Sequence, residues 1–365
     1  GIDTTTASTG VPNLGGDENW HFEFTLEEGE NPLTVVSTDA SGLTSEITVL
    51  ATYDPLQEWY VSNDGSDENS GGEDDPFASI AMAISQSASG DIIYLAPGTY
   101  HEHGLTLPHA LEIHGLATAP EVIVDCQDAG RFLSAVDLER ESVLSNLTVQ
   151  NGSASEHGGA VSLDASPMRL ERCIFQENQA AMDGGAIFSG ENASLIVNQC
   201  TFTANLAATS GGAISAVHNV EFDVDQSDFV ANESSHSVIG GGGAINSYGV
   251  SPEITDCTFR DNWSWRSGGA VEIWLGDEAL IAGCLFAGNS STDGTGALQL
   301  MSCWDPGPVV RHCTFVDNAG DTVGGLYVQN QHPRVENSIF AFNAGLAIGH
   351  DPEEAPAVTC TDLFA

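Results

Sequence analysis

Apolar and polar residues alternate in short runs along most of the chain, for example in ASLIVNQCTF at 193–202 and in SPEITDCTF at 251–259. These runs are too short and too rich in β-branched residues for amphipathic helices. The pattern therefore predicts a chain built of short strands joined by turns.

Two motifs recur along the chain with one shared period. F-x-x-N and a glycine-rich motif, which reads G-G-A-[ILV] in most coils, each return after 25 to 31 residues. A coil of that length made of strands cannot bury its own apolar face, so it must stack on copies of itself, about 4.8 Å apart. The sequence therefore predicts an all-β fold, a parallel β-helix. The asparagines are Asn178, Asn205, Asn232, Asn262, Asn289, Asn318 and Asn343, and the second glycines are Gly159, Gly185, Gly212, Gly243, Gly269, Gly296 and Gly325.

Each motif residue has an expected role in this stack. The phenylalanines would stack inside, each contributing about 1.5–3 kcal/mol of gross burial energy. The asparagines tolerate left-handed backbone and can form a hydrogen-bonded ladder at a turn. The glycine pairs permit positive φ and close backbone approach at another corner. The phenylalanines are Phe175, Phe202, Phe229, Phe259, Phe286, Phe315 and Phe340.

Six of the eight cysteines fall in one column, two residues before the phenylalanine position of their coils. Neighbours in such a column hold their Cβ atoms about 4.8 Å apart, whereas a disulfide needs about 3.8 Å. We therefore expect buried free thiols that act as small apolar groups. A disulfide framework is the alternative. The column residues are Cys173, Cys200, Ser227, Cys257, Cys284, Cys313, Ser338 and Cys360, while Cys126 and Cys303 lie outside it.

The alternation of G-G-A-[ILV] and F-x-x-N over roughly residues 144–343 resembles the repeats of chlamydial polymorphic outer-membrane proteins. Members of that family are surface-exposed autotransporter adhesins whose passenger is a right-handed parallel β-helix. The resemblance implies a right-handed solenoid here and an extracellular or cell-surface location. It is specific to the repeat architecture and much less specific to function.

Three segments are expected. Residues 1–55 contain alternating strands with turns at EEGEN and DASG, and look like part of a bacterial immunoglobulin-like β-sandwich, a domain of about 100 residues. Residues 56–105 look like the opening segment of secreted right-handed β-helix proteins, including some polysaccharide lyases. There, FASIAMAISQSA after Pro76 predicts a short helix that caps the apolar end of the stack. Residues 106–365 hold the β-helix repeats.

The charge of the chain excludes several partners. Eight arginines and no lysine oppose 52 acidic residues, which gives a net charge of −44. Such a field repels nucleic acids and anionic lipid surfaces, and it favours divalent cations, high salt or cationic partners. No run approaches the roughly eighteen apolar residues of a membrane span. We expect no nucleic-acid binding and no membrane span in this chain.

The acidic loop NDGSDENSGGEDD at 63–75 offers carboxylate oxygens, the ligands that Ca²⁺ prefers. The loop does not match the twelve-residue EF-hand pattern. Calcium is the one candidate cofactor, and the interpretation of these residues as ordinary solvated acids stands equally beside it. The candidate ligands are Asp64, Asp67, Glu68, Glu73, Asp74 and Asp75.

NWSWRSGGAVEIW at 262–274 contains the best candidate binding site. Counted from the second glycine of each pair, the third and fifth following residues should point outward. An exposed aromatic strip beside polar groups suits a glycan or a surface protein, and a loop packed over the solenoid wall is the alternative. The fifth positions hold Tyr248, Trp274 and Met301, and the third positions hold Asn246, Glu272 and Gln299. The candidate binding residues are Tyr248, Trp263, Trp265, Arg266, Glu272 and Trp274.

The sequence contains no recognisable catalytic set. Many β-helix polysaccharide lyases use a lysine base, so an enzyme of that kind would have to use arginine here. EHGG at 156–159 is expected to be a turn rather than a catalytic motif. We expect a non-catalytic extracellular or cell-surface protein, adhesin-like or structural. The alternative is a lyase-like polysaccharide-active enzyme or a glycan-binding module, and an arginine surrounded by acidic residues and calcium in a lateral groove would favour the enzyme.

The terminal segments predict self-association. In VTCTDLFA, Cys360 enters the cysteine column, so the last strand starts a coil and leaves an open apolar edge. The partial sandwich at the other end offers a second open edge. Complementary edges at opposite ends suit a head-to-tail contact that builds a filament, which would make the protein a fibre subunit. A trimmed chain is the alternative.

Overall fold

A computed structural model describes residues 29–38, 41–53, 55–235, 240–303, 306–329, 333–351 and 355–364. The chain divides into two compact units, Gly1–Pro55 and Leu56–Ala365.

The described part of the first unit is an antiparallel hairpin. Its strands are Gly29–Thr38 and Thr44–Tyr53, paired from Gly29 opposite Tyr53 to Thr38 opposite Thr44. The turn predicted at EEGEN is wrong for residues 29–31, because these residues already pair in the first strand. The part of the predicted sandwich before residue 29 lies outside the described residues. The immunoglobulin-like sandwich stays a prediction.

The second unit is a stack of coils whose strands form three long parallel sheets. The first sheet has twelve strands and the second has eleven. The strands of the first sheet are Glu58–Val61, Ile92–Leu95, Glu112–Gly115, Ser142–Ser145, Pro167–Glu171, Ser194–Asn198, Glu221–Asp225, Glu253–Thr255, Leu280–Ala282, Val309–Arg311, Arg334–Glu336 and Ala357–Thr359. The strands of the second sheet are Gly98–Tyr100, Val122–Asp125, Thr148–Gln150, Ile174–Gln176, Thr201–Thr203, Asp228–Val230, Thr258–Arg260, Leu285–Ala287, Thr314–Val316, Ile339–Ala341 and Asp362–Phe364.

The third sheet consists of a main ladder and a short corner ladder that precedes it in each coil. The strand Ala319–Gln329 joins the two ladders and pairs in parallel with Ala344–His350. The main ladder contains Leu105–Leu107, Leu133–Val136, Val161–Asp164, Ile187–Ser189, Ile214–Val217, Ile245–Tyr248, Val271–Trp274 and Leu298–Met301. The corner ladder contains Ser153–Ala154, Gln179–Ala180, Leu206–Ala207, Glu233–Ser234, Trp263–Ser264 and Ser290–Ser291.

The predicted phenylalanine ladder runs through the core. The rings from Phe175 to Phe340 are fully buried, and successive centroids lie 4.4–5.1 Å apart with interplanar angles of 1–10°. This spacing follows from the distance between hydrogen-bonded strands. Stacking and burial therefore stabilise the same side chains.

The predicted asparagine ladder is also present, with one correction. Each side-chain amide from Asn178 to Asn318 donates to the Oδ1 atom of the next asparagine over 2.9–3.0 Å. The asparagines do not occupy the left-handed region themselves. The residue before each asparagine does, as at Glu177 and Ala204, because the chain turns there and leaves the amide pointing along the stack.

The glycine pair forms the corner before the main ladder of the third sheet. Gly184 has a φ of +68°, which an L-residue adopts only with strain. A Cβ on Gly185 would lie 2.0 Å from the carbonyl oxygen of Gly212 in the next coil. In this pair the first glycine is needed for its positive φ and for its close approach to the Ile187 carbonyl, and the second for its close approach to the next coil.

All eight cysteines are free, and all except Cys360 are buried. Within the column the thiols have a hydrogen-bonding role as well as an apolar one. The Cys173 amide donates to the Cys200 sulfur over 3.4 Å, and the Cys200 amide donates to the Ser227 hydroxyl over 3.1 Å. Serine can therefore replace cysteine in this column because both side chains accept the same backbone bond.

A short helix, Ile80–Gln86, packs on the first coils, and a 3₁₀ turn follows at Ala119–Glu121. The Ser79 hydroxyl caps the helix by accepting from the Met82 amide over 3.1 Å. Ile80, Ala83 and Ile84 are buried. The predicted cap is therefore present, although it is shorter than the twelve-residue segment that suggested it.

Candidate functional site

The outer face of the third sheet carries the predicted aromatic strip. Tyr248, Trp274 and Met301 occupy one register column in three successive coils. The Tyr248 and Trp274 ring centroids lie 5.6 Å apart at 78°, and the His218 ring meets Tyr248 at 5.0 Å and 76°. Trp274 is 41% exposed. We call Tyr248 and Trp274 the aromatic strip.

A second aromatic pair lies in the corner ladder. The Trp263 and Trp265 rings are 5.9 Å apart at 85°, and Trp265 is 38% exposed. Arg266 follows in the exposed turn, and its backbone amide donates to the Ser264 hydroxyl over 3.3 Å. The structure therefore divides the predicted aromatic residues between a corner pair and the strip.

Glu272 is buried, where the sequence pattern suggested an outward-facing polar group. Its side chain lies under the glycine-containing corner, where the Ser267 hydroxyl donates to Oε1 over 2.8 Å. Asn246, its register partner in the preceding coil, is also buried and donates to the Ser215 hydroxyl over 3.2 Å. Burial raises the pKa of Glu272 from 4.5 to about 7, and the Ser267 hydrogen bond opposes the rise.

A cleft of about 470 Å³ opens on the same face, in the coils before the strip. Its wall contains one arginine, a histidine stacked on a phenylalanine, and three carboxylates. The His157 and Phe188 centroids are 4.3 Å apart at 27°. The residues that line the cleft are Arg131, Glu156, His157, Ser162, Leu163, Asp164, Phe188, Gly190, Glu191 and Val217.

Hydrogen bonds hold the cleft wall in place. Arg131 donates to the His157 carbonyl over 2.7 Å and to the Ser134 hydroxyl over 3.3 Å. Burial lowers the pKa of Arg131, and the charge of Glu156 opposes this shift. His157 Nδ1 lies 3.1 Å from Oδ2 of Asp183. The wall is therefore arranged before any ligand arrives.

The sequence reasoning missed this cleft. The sequence predicts a turn at EHGG, and Glu156 and His157 do lie in a bend, but that bend forms one wall of the cleft. Phe188 occupies the third position after its glycine pair, the same column in which Glu272 was noticed. Applying the same third-position rule to the earlier coils points to Phe188 and thus to the cleft.

The acidic loop uses part of its charge in its own hydrogen bonds. The Asp67 carboxylate accepts from the amides of Ala78 and Ser79 over 3.0 and 2.9 Å, and Asp75 accepts from the Ser70 amide over 2.9 Å. No group of three or more His, Cys, Asp or Glu side chains in the described segments could hold a metal ion. Calcium binding stays a prediction. The other candidate ligands, all exposed, are Asp64, Glu68, Glu73 and Asp74.

Segments of the chain match three protein families. Residues 224–361 match "Right handed beta helix region", and residues 172–190 and 199–217 match the "Chlamydia polymorphic membrane protein" repeat. Residues 63–115 match a family described as a protein of unknown function. A search of curated proteins found no significant match. None of the helices in the described part has the length and hydropathy needed to cross a membrane.

Several solved structures resemble the chain. A complex of XylC with xylose shares 10% identity with a TM-score of 0.49, covering 81% of this chain and 70% of that one. A rhamnogalacturonan lyase shares 14% identity with a TM-score of 0.32, covering 79% and 69%. A GH136 lacto-N-biosidase from Eubacterium ramulus shares 11% identity with a TM-score of 0.36, covering 84% and 67%. Its repeats and its three parallel sheets identify the chain as a right-handed parallel β-helix protein with Chlamydia polymorphic membrane protein-type repeats.

Proposed function

We propose that this is a non-catalytic extracellular or cell-surface protein that binds glycans through the aromatic strip. The observation that carries the proposal is the exposed Trp274 ring, set against Tyr248 on a rigid strand. Aromatic faces pack against the apolar faces of sugar rings while the sugar hydroxyls stay hydrated. The polymorphic membrane protein-type repeats support the surface location.

The strip is suited to recognition because strands hold it. Tyr248 and Trp274 end two paired strands, and the neighbouring His218 ring supports Tyr248 from the preceding coil. Binding groups on regular elements lose little conformational freedom when a ligand arrives. The net charge of −44 disfavours anionic polymers on this surface. A neutral glycan is therefore the partner that the strip fits best.

Affinity electrophoresis tests the proposal, with neutral soluble polysaccharides cast in the gel. The intact protein should be retarded, and Trp274→Ala should lose the retardation. Phe342→Ala is a matched control because Phe342 is an aromatic residue 65% exposed in another turn. Trp265→Ala shows whether the corner pair contributes. If Trp274→Ala migrates with the same retardation as the intact protein, the strip is not the binding site.

One observation favours the alternative enzyme. Arg131 lies in a lateral cleft beside acidic side chains. Its two hydrogen bonds support the cleft wall, however, so a role as base would require it to leave that position. We expect no formation of unsaturated uronides from acidic polysaccharides, with or without added Ca²⁺. Activity that disappears in Arg131→Gln would favour the enzyme instead.

Head-to-tail association also stays a prediction. Sedimentation velocity over a wide concentration range tests it, because a non-closing contact gives a distribution of sizes that grows with concentration. A single monomeric species at high concentration would oppose the fibre.

A further inference from the structure

The cleft and the aromatic strip are continuous on the surface. Val217 lines the cleft and is the register partner of Tyr248 in the next coil. The Tyr248 ring then meets Trp274 one coil further on. A ligand in the cleft that extends along the stack therefore reaches the strip without crossing another element of the third sheet.

We propose that the cleft and the strip form one binding surface for a neutral, linear glycan chain that lies along the axis of the β-helix. This inference rests on the proposed function and deepens it by adding the cleft as a second contact region and by naming the linear form of the ligand and its direction. In this arrangement Phe188 and Trp274 contact different sugar units of one chain.

The length of the surface calls for an oligosaccharide. Three register steps separate the coil of Phe188 from the coil of Trp274. At about 4.8 Å per step these coils lie about 14 Å apart. A single sugar unit cannot contact both rings, whereas a chain of several units can. Affinity should therefore rise with chain length until the ligand spans both parts.

The charges of the cleft favour hydroxyl groups over acidic groups. Glu156, Asp164 and Glu191 outnumber the one guanidinium, which already faces the charge of Glu156. A sugar carboxylate would therefore meet like charges, which is unfavourable. Carboxylates accept from sugar hydroxyls and form strong, directional bonds with them. Phe188 supplies an apolar ring in the same lining.

The cleft is held in shape by bonds that do not involve the ligand. The Asp183 carboxylate accepts from the Thr209 hydroxyl on one side and lies against His157 on the other. His157 in turn stacks on Phe188. Gly190 leaves space beside this ring, since a Cβ there would lie 3.1 Å from Phe188 Cε1. Such preorganisation reduces the entropy lost on binding.

Titration calorimetry with neutral β-1,4-linked glucose and xylose oligosaccharides, from disaccharide to hexasaccharide, tests the inference on the full chain. In the unaltered protein the affinity should increase with length. Phe188→Ala and Trp274→Ala should each weaken hexasaccharide binding about tenfold and flatten the dependence on length. Glu191→Gln, a milder change at the cleft, should also weaken it, whereas Glu177→Gln on an exposed turn elsewhere should not. Circular dichroism checks that each variant is folded.

The outcomes separate this inference from the proposed function. If Trp274→Ala weakens binding while Phe188→Ala and Glu191→Gln leave it unchanged, the strip binds glycans and the continuous surface is refuted. Binding that does not depend on length refutes it as well. If oligogalacturonides bind as tightly as the neutral series, the preference for neutral chains is wrong. If none of the neutral oligosaccharides binds, both proposals fail.

Discussion

Replacing Glu272 by glutamine should stabilise the protein above neutral pH and change little in acid. The carboxyl group is buried under the corner, with the Ser267 hydroxyl bonded to Oε1. Gln299, the register partner in the next coil, shows that the column accommodates a primary amide. The substitution therefore removes an ionisable group while it keeps the shape of the side chain.

The sign follows from the raised pKa. The folded-state pKa of Glu272 is about 7 and the ordinary value is 4.5. The folded state thus binds the proton more tightly than the unfolded state does. The stability that this carboxyl group contributes is therefore fully present below pH 4.5 and is lost as the pH rises through 7. The rise of the pKa from 4.5 to about 7 corresponds to about 3 kcal/mol at 1.36 kcal/mol per pKa unit. About 1 kcal/mol of this is already lost at pH 5.5, which lies above the ordinary value of the carboxyl group. Relative to the parent, Glu272→Gln should therefore gain about 2 kcal/mol in the free energy of unfolding between pH 5.5 and pH 8.5.

Urea denaturation at several pH values measures this difference. The many other carboxylates also titrate, so the informative quantity is the difference between each variant and the parent at each pH. Glu278→Gln is the matched control because it removes the same charge from an exposed position in the same coil. If the curves for Glu272→Gln and the parent run parallel from pH 5.5 to 8.5, the carboxyl group is not held in a buried environment and the argument is wrong.

Three further predictions concern the ladders, the thiols and the charge. Asn232→Ala should lower the free energy of unfolding by about 2–4 kcal/mol, because it removes the bonds to the Phe202 carbonyl and to Asn262 and leaves buried partners unsatisfied. Gln179→Ala, at an exposed position, is the control. Equal effects in the two variants would show that the asparagine ladder does not stabilise the stack. Cys360 alone should react with a thiol reagent under native conditions, since the other seven cysteines are buried, and the fast reaction should disappear in Cys360→Ser; more than one fast thiol would show that the stack opens. The midpoint temperature of thermal unfolding should rise with added NaCl, because screening reduces repulsion within a chain of net charge −44. If the acidic loop binds Ca²⁺, then CaCl₂ should raise this midpoint more than NaCl does at equal ionic strength, and equal increases would argue against the calcium site.

The fold was predictable because the repeats constrain every coil in the same way. Phenylalanine, asparagine and cysteine each recur at one place in the period, and a stack of coils is the arrangement that buries the first and pairs the second. The asparagine conformation was predicted wrongly, because a preference for left-handed backbone belongs to the whole turn. The structure assigns it to the preceding residue, such as Glu177 or Ala204.

The candidate site was only partly predictable. Period-two alternation correctly placed the side chain of Trp274 on the outer face of its strand. It could not show that the glycine corner would cover Glu272, because alternation describes one strand and burial depends on the neighbouring turn. The cleft was missed for a similar reason, since Arg131 and Phe188 are 57 positions apart in the sequence and come together through the stacking of coils.

The separation between inward and outward columns has a consequence for how this molecule can change over generations. A substitution at an outward position such as Val217 or Met301 alters one step of the surface without changing a residue of the buried phenylalanine ladder. Duplication of a whole coil would lengthen the surface by about 4.8 Å and leave the pairing of all other coils intact. Ligand preference and ligand length can therefore vary independently of each other and of stability, so divergent descendants could share one interior and recognise different molecules.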